Sequence, residues 1–153
     1  MRVEFVNPFV QAAGEVVESE IGGEVEKGQI HLHKSAYTTD EVTAAVGVNG
    51  RLAGLVLYSM SEATACAIVS RLIGEDFAEF DEMAQSGIGE LGNVITGRAC
   101  GLLAEAGYPC AITTPAILVG KGTLVTTLEL NRLVFPLETD VGKLEVHVIL
   151  RDR

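Results

Sequence analysis

The chain has no tryptophan, and its aromatic residues are five phenylalanines and three tyrosines. A core with so few rings must be closed by aliphatic side chains and by small residues that let backbones approach. Cysteine is scarce as well. Cys66, Cys100 and Cys110 are an odd number without C-x-x-C spacing, which speaks against a disulfide framework or a thiolate zinc site and fits reduced thiols. Cys66 falls in an apolar helical pattern and Cys110 opens a strand, so both are expected as small core residues. Cys100 is open to two readings, a packed small residue or a reactive thiol, and the packed one is expected.

Basic residues are few: 11 against 21 acidic ones, a net charge of −10. Nucleic-acid phosphates and a basic membrane-surface helix are poor matches for such a chain. A phosphorylated protein remains open as a partner, because local charge decides docking. No apolar run approaches the roughly 20 residues needed to cross a bilayer. The opening MRVEFVNPFVQAAGEVV carries Glu4 and no continuous apolar region, so it does not resemble a signal peptide, and a cytoplasmic location is expected. The hydrophobic fraction of 48% excludes a disordered chain, and 153 residues suit one domain, 1–153.

Familiar catalytic motifs are missing too. There is no G-x-S-x-G, no G-x-x-x-x-G-K-[ST] and no H-E-x-x-H. Gly120-Lys121-Gly122 reads as a turn, since no helical pattern follows it. His31 and His33 share one strand face and could in principle share a metal. With no third ligand at metal spacing, a solvated face is expected and no metal.

What the chain does have is one unusual segment, Asp81 to Gly107, which reads as its longest helix. Ile88, Leu91, Ile95, Ala99, Leu102 and Leu103 form a core stripe. The other side carries Ser86, Gly89, Glu90, Asn93, Gly97, Cys100, Gly101 and Ala104, all small except Glu90 and Asn93. Gly87, Gly89, Gly92, Gly97 and Gly101 each cost roughly 1 kcal/mol relative to alanine inside a helix. Such a face implies close approach of another backbone, either from within the fold or from a docked partner. Glu90 and Asn93 lie three apart and therefore neighbour one another. A carboxamide donates and accepts at once and can orient a water for in-line attack. A carboxylate one turn away can pair with a partner's cation.

The string Ser86 to Gly97, SGIGELGNVITG, resembles the signature of the CheC/CheX/FliY chemotaxis phosphatases. That motif is an acidic residue or serine, three residues, glutamate, two residues and asparagine; Ser86, Glu90 and Asn93 fill it in register. The resemblance implies a phosphatase acting on the phospho-aspartate of a CheY-type response regulator. By position, Asn93 would orient the attacking water and Glu90 would bind a regulator lysine. The small face of Ser86, Gly89, Gly97 and Gly101 would admit the partner. It also implies that Mg²⁺ belongs to the regulator, that this chain needs no cofactor of its own, and that it forms a homodimer through a sheet edge. The alternative is a non-catalytic adaptor or a scaffold like those of the flagellar switch.

The remaining elements follow from periodicity. Residues 4–21 read as an amphipathic helix capped by Asn7 with Pro8 in its first turn. Phe9, Ala12, Ala13, Val16 and Val17 make its buried stripe, and Gly22–Gly23 ends it. Its Glu15 and Glu18 have no asparagine three residues on, which points to the single-site, CheX-like branch of the resemblance. Gln29 to Ala36 alternates as a half-buried strand. Glu41 to Val48 and Leu52 to Tyr58 form a hairpin across Asn49–Gly50. Ser59 or Ser61 caps a helix from Glu62 to Ile73, which Gly74 stops. Phe77 and Phe80 pin the acidic loop that follows. Cys110 to Val119, Thr123 to Leu130, Arg132 to Glu138 and Lys143 to Leu150 read as strands, the last three a meander. The expected fold is α+β: a largely antiparallel sheet with three helices packed on one face, in a pseudo-duplicated, CheC-like architecture.

Overall fold

The computed structural model describes residues 2–34, 36–127 and 130–153. Its elements are α1 (Val3–Ile21), β1 (Glu26–Lys27), β2 (His31–His33), β3 (Tyr37–Thr38), β4 (Val42–Gly50), β5 (Leu52–Met60), α2 (Glu62–Ile73), α3 (Glu82–Glu105), β6 (Cys110–Ile112), β7 (Ala116–Val119), β8 (Leu124–Val125), β9 (Arg132–Thr139) and β10 (Gly142–Asp152). The main sheet runs β1-β9-β10-β5-β4-β6, with β2 also beside β9 and β7 also beside β4. Every pairing is antiparallel.

That order is a palindrome. β5 and β10 meet at the centre, β4 and β9 flank them, and β6/β7 mirror β1/β2 at the rims. β3 and β8 pair with each other in a separate two-stranded sheet. Two units of one helix and a set of strands, led by α1 and α3, thus repeat about the sheet's middle, and α2 has no counterpart.

The registers align one apolar face. Leu137, Leu144, Met60 and Val42 share a row across β9, β10, β5 and β4, and Phe135, Val146, Tyr58 and Ala44 share the next. All eight are buried in the same core as the inward stripes of the three helices. The helices cover this face because each has a single apolar stripe to bury and the sheet offers its apolar face there.

Several local expectations are corrected. α1 starts at Val3, with Arg2 in the cap position and no side-chain cap, and Pro8 lies inside it. Asn7 caps nothing because the helix reaches back to bury Phe5 and Val6. Arg2 then ties the start to Tyr108 and Asp152. β2 is short and wholly exposed, with Leu32 half uncovered, so its alternation does not mark a half-buried strand. The β4–β5 hairpin forms, but Val48 pairs with Gly54 rather than Arg51. Asn49 and Gly50 instead continue β4 to pair with β6. Of Thr123 to Leu130 only β8 is a strand, and it lies outside the main sheet; residues 128 and 129 fall outside the described ones.

The run from Cys110 to Val119 is two strands. β6 pairs with β4 in the register Val48↔Ile112, and β7 in the register Val42↔Val119. One extra residue is therefore inserted between them, a bulge over 113–115. Pro115 has no N–H for a ladder and is tolerated there. Thr113 holds the bulge, its N–H donating to the Gly47 carbonyl while its hydroxyl accepts from the Gly47 N–H. The inserted residue resets the side-chain alternation, so Ile112 and Ile117, five apart, both face α3.

The far face of the sheet carries a polar cluster. His147 is buried, its Nε2–H donates to Glu145 Oε1 at 2.8 Å, and Tyr37 stacks on the ring at 4.2 Å. Its Nδ1 is buried without a partner among the described residues. Burial, above all, holds the imidazole pKa below its ordinary value, outweighing Glu145, which alone would raise it; Arg132 and His33 add to the depression. The unfolded chain therefore takes up this proton at a higher pH than the folded one. Stability from neutral His147 is complete above about pH 6.5 and falls as pH drops below that value. Urea midpoints are expected to decrease from pH 7.5 to pH 5.5, and His147→Gln should flatten that decrease. An equally steep decrease in the variant would place the effect elsewhere.

Candidate functional site

α3 is positioned at its start and along its buried side. Asp81 caps its start, Oδ1 accepting from the Ala84 N–H at 2.9 Å. Ile88, Leu91, Ile95, Ala99 and Leu103 are buried as the periodicity predicts, and Leu102 is half-buried. Gly92 and Thr96 are buried as well, and they seat the helix on the sheet. A Cβ at Gly92 would lie 3.2 Å from Tyr58 Cδ2 and 3.6 Å from Ala44 Cβ, so a side chain there would lift the helix off β5. The Thr96 hydroxyl donates to the Gly92 carbonyl at 2.6 Å and accepts from the Tyr58 hydroxyl at 2.7 Å. Burial pushes the Tyr58 phenol pKa up, which keeps it a donor. This anchor lies beneath residues 92–96 and was not singled out from the sequence. The one signal for it was a threonine inside a helix whose buried stripe is otherwise aliphatic.

On the outward side Glu90 is exposed and Asn93, one turn on, is half-buried. Asn93 Oδ1 is buried and makes no hydrogen bond among the described residues. An unsatisfied buried acceptor costs about 1–3 kcal/mol, and native folds rarely retain one without a use. With its oxygen unbonded, the carboxamide keeps its acceptor capacity unused by the fold. Ser86 stands exposed one turn before Glu90.

The glycines on this side divide. Gly89 is buried, and a Cβ there would meet Pro115 Cγ at 3.5 Å and Ile117 Cδ1 at 3.6 Å, so the bulge and β7 cover it from within the fold. Gly97 is exposed, with Ile112 Cδ1 at 3.7 Å as its nearest neighbour, and Gly101 has nothing within 4 Å. Ser86, Gly97 and Gly101 therefore stay open, and Gly89 among them is covered. Nothing inside the fold requires glycine at Gly97 or Gly101. Gly97→Ala and Gly101→Ala are each expected to raise stability by about 0.5–1 kcal/mol. Thermal unfolding checks this; a loss of stability would mean that the backbone there is not free.

Cys100 is buried on the same helix, and burial followed by its contact with the Cys110 thiol pushes it up to about 12. It is protonated at neutral pH and poorly suited to nucleophilic work. His31 and His33 belong to no group of potential metal ligands among the described residues. No described helix is long and apolar enough to cross a membrane.

The protein-family model described as chemotaxis phosphatase CheX matches residues 42–138, which includes β4, β5, α2 and all of α3. The chain belongs to the CheX family of chemotaxis phosphatases. By that membership it is a phosphatase, a hydrolase in class. A CheY-P phosphatase CheX from Thermotoga maritima is 29% identical over 122 residues, 79% of each chain. A CheC-like superfamily protein from Shewanella sp. PV-4 superposes with a TM-score of 0.88 at 25% identity, covering 99% of both chains. A CheX–CheY complex with beryllofluoride and Mg²⁺ from Borrelia burgdorferi contains a chain similar at TM-score 0.85 and 27% identity, over 99% of this chain and 100% of that one. The α+β fold with its antiparallel sheet is thus the one shared with CheC-like proteins.

Proposed function

We propose that this chain hydrolyses the aspartyl phosphate of a CheY-type response regulator. Asn93 orients the attacking water and Glu90 pairs with a lysine of the regulator. The observation that carries the reading is the unsatisfied carboxamide of Asn93, set one turn from an exposed carboxylate on a helix face that turns to glycine beyond it. The named activity of the Thermotoga relative and the existence of a CheX–CheY complex support the same substrate class.

An aspartyl phosphate is an activated acyl phosphate, so the reaction needs little beyond a placed nucleophile. A water held in line by one carboxamide supplies positioning, and the docking contact supplies register. In this reading Mg²⁺ belongs to the regulator, and this chain brings no cofactor of its own. Ser86, Gly97 and Gly101 admit the regulator's backbone, with Gly89 the covered position among them. Alanine at Gly97 or Gly101 would then weaken docking even as it stabilises the fold. The reading also carries a cytoplasmic location, where response regulators act.

The direct test is decay of a phosphorylated CheY-type regulator, with Mg²⁺, alone and with catalytic amounts of this protein. Faster decay supports the reading; unchanged decay across several regulators removes it. Glu90→Lys is expected to abolish docking and turnover together, because it sets like charges against each other. Retained binding by that variant would move the docking contact away from Glu90.

Association of two copies through a sheet edge is part of the same proposal. Leu32 on β2, Val119 on β7 and Leu124 on β8 are exposed at 53%, 59% and 68%, and β2 and β7 lie at the rims of the main sheet. Unpaired edges with apolar residues invite pairing. Sedimentation at micromolar concentration should give twice the chain mass; a monomer would overturn it.

A further inference from the structure

The helical face holds a second feature beside Glu90. A groove of about 340 Å³ opens where the ends of α1 and α2 meet α3. Its walls are Val16, Leu72, Ile73, Leu91 and Val94. Ile73 and Val94 are both about two-fifths exposed, so this apolar lining faces solvent. Two carboxylates belong to the same groove, Glu90 from α3 and Glu20 from the last turn of α1. No basic residue lines it.

Neither carboxylate is used by the fold. Glu20 and Glu90 make no ion pair or side-chain hydrogen bond among the described residues. Glu15, five residues earlier on α1, shows the contrast, since Arg98 of α3 pairs with it. An apolar trough with two unpaired carboxylates and no cation complements a side chain with a long methylene stem and a positive head. An ammonium has three donors and can serve two carboxylates at once.

We infer that this groove seats a lysine side chain of the response regulator, its stem against Val94 and Ile73 and its ammonium shared between Glu90 and Glu20. The inference rests on the proposed phosphatase reading and extends it: Glu20, from a different helix and outside the Ser86–Gly97 motif, becomes a determinant of which regulator docks. Glu20 touches no reacting atom, so it governs affinity and leaves the chemical step alone.

The experiment measures binding of a CheY-type regulator activated with beryllofluoride and Mg²⁺, together with steady-state turnover of the phosphorylated form. Glu20→Gln is expected to raise Kd and KM about threefold, and Glu20→Lys about tenfold or more, with kcat unchanged. Added salt should weaken binding less in Glu20→Gln than in wild type. Val94→Ser tests the stem contact and should raise KM without altering the salt dependence. Unfolding midpoints of the Glu20 variants should not fall, because Glu20 has no partner to lose and a carboxylate in the last turn of α1 opposes the helix dipole. If both Glu20 variants bind as wild type while Glu90→Lys does not, the groove inference falls and the phosphatase reading stands. If wild type binds without turnover and Glu20→Lys weakens binding, the groove stands and the phosphatase reading falls. A wild-type protein that binds no activated regulator overturns both.

Discussion

Asn93→Ala is expected to bind the activated regulator as wild type does while dephosphorylating it at least about tenfold more slowly, a loss of ~1.4 kcal/mol or more of transition-state stabilisation. The split follows from what the side chain does in the free protein. Its Oδ1 accepts no hydrogen bond among the described residues, so its removal breaks none there. Alanine is also the better helix former by about 0.5 kcal/mol and leaves no buried acceptor unsatisfied. The variant should therefore unfold at an equal or higher temperature than wild type. A protein that gains stability while losing kcat keeps a costly residue for its chemistry. Full turnover by Asn93→Ala would remove water positioning from this residue, and a fall in Tm would mean that its carboxamide is structural after all.

Gly54→Ala should be the most damaging single methyl in the chain. Gly54 sits in β5 between two partners, opposite Val48 of β4 and Leu150 of β10. Its φ is +158, and a Cβ would fall 1.9 Å from the Ile149 carbonyl oxygen. That oxygen belongs to the neighbouring strand's backbone and cannot swing aside as a side chain would. The change combines an unfavourable dihedral with overpacking at the centre of the sheet, each costing about 1–3 kcal/mol. A loss of about 3 kcal/mol or more is expected, or roughly 10 °C in Tm for a chain of this size. Glycine in a central strand ordinarily reads as a weakness. Here it is the condition for β4, β5 and β10 to pair in register. Unchanged Tm in Gly54→Ala would mean that the β5–β10 pairing yields easily at this point.

Glu90 and Asn93 were legible in the sequence because their three-residue spacing converts directly into adjacency on a helix. The glycines of the same face were legible only as a requirement for close approach. Whether each approach came from inside the chain depended on β7, whose position follows from pairing with β4 about seventy residues earlier. Gly89 proved covered by Pro115 and Ile117, and Gly101 proved open, though their local sequences look alike. The Asn49–Gly50 turn failed as a register predictor for a related reason. β6 pairs with those residues from the other side and holds them extended as part of β4.

Local chemistry determined the elements with the strongest periodicity. The stripes of α1 and α3, the Ser61 cap and Gly74 stop of α2, and the β9–β10 hairpin needed only information within a few turns of each residue. Tertiary structure decided the rest. It drew the start of α1 back to Val3, divided Cys110 to Val119 by a bulge, and seated α3 on Tyr58 through Gly92 and Thr96. It also brought Glu20 to the groove that Glu90 lines. The physical reason is one of range. Helical periodicity and capping act over three or four residues, whereas sheet register and helix seating are set by burial and close packing between residues far apart in the chain.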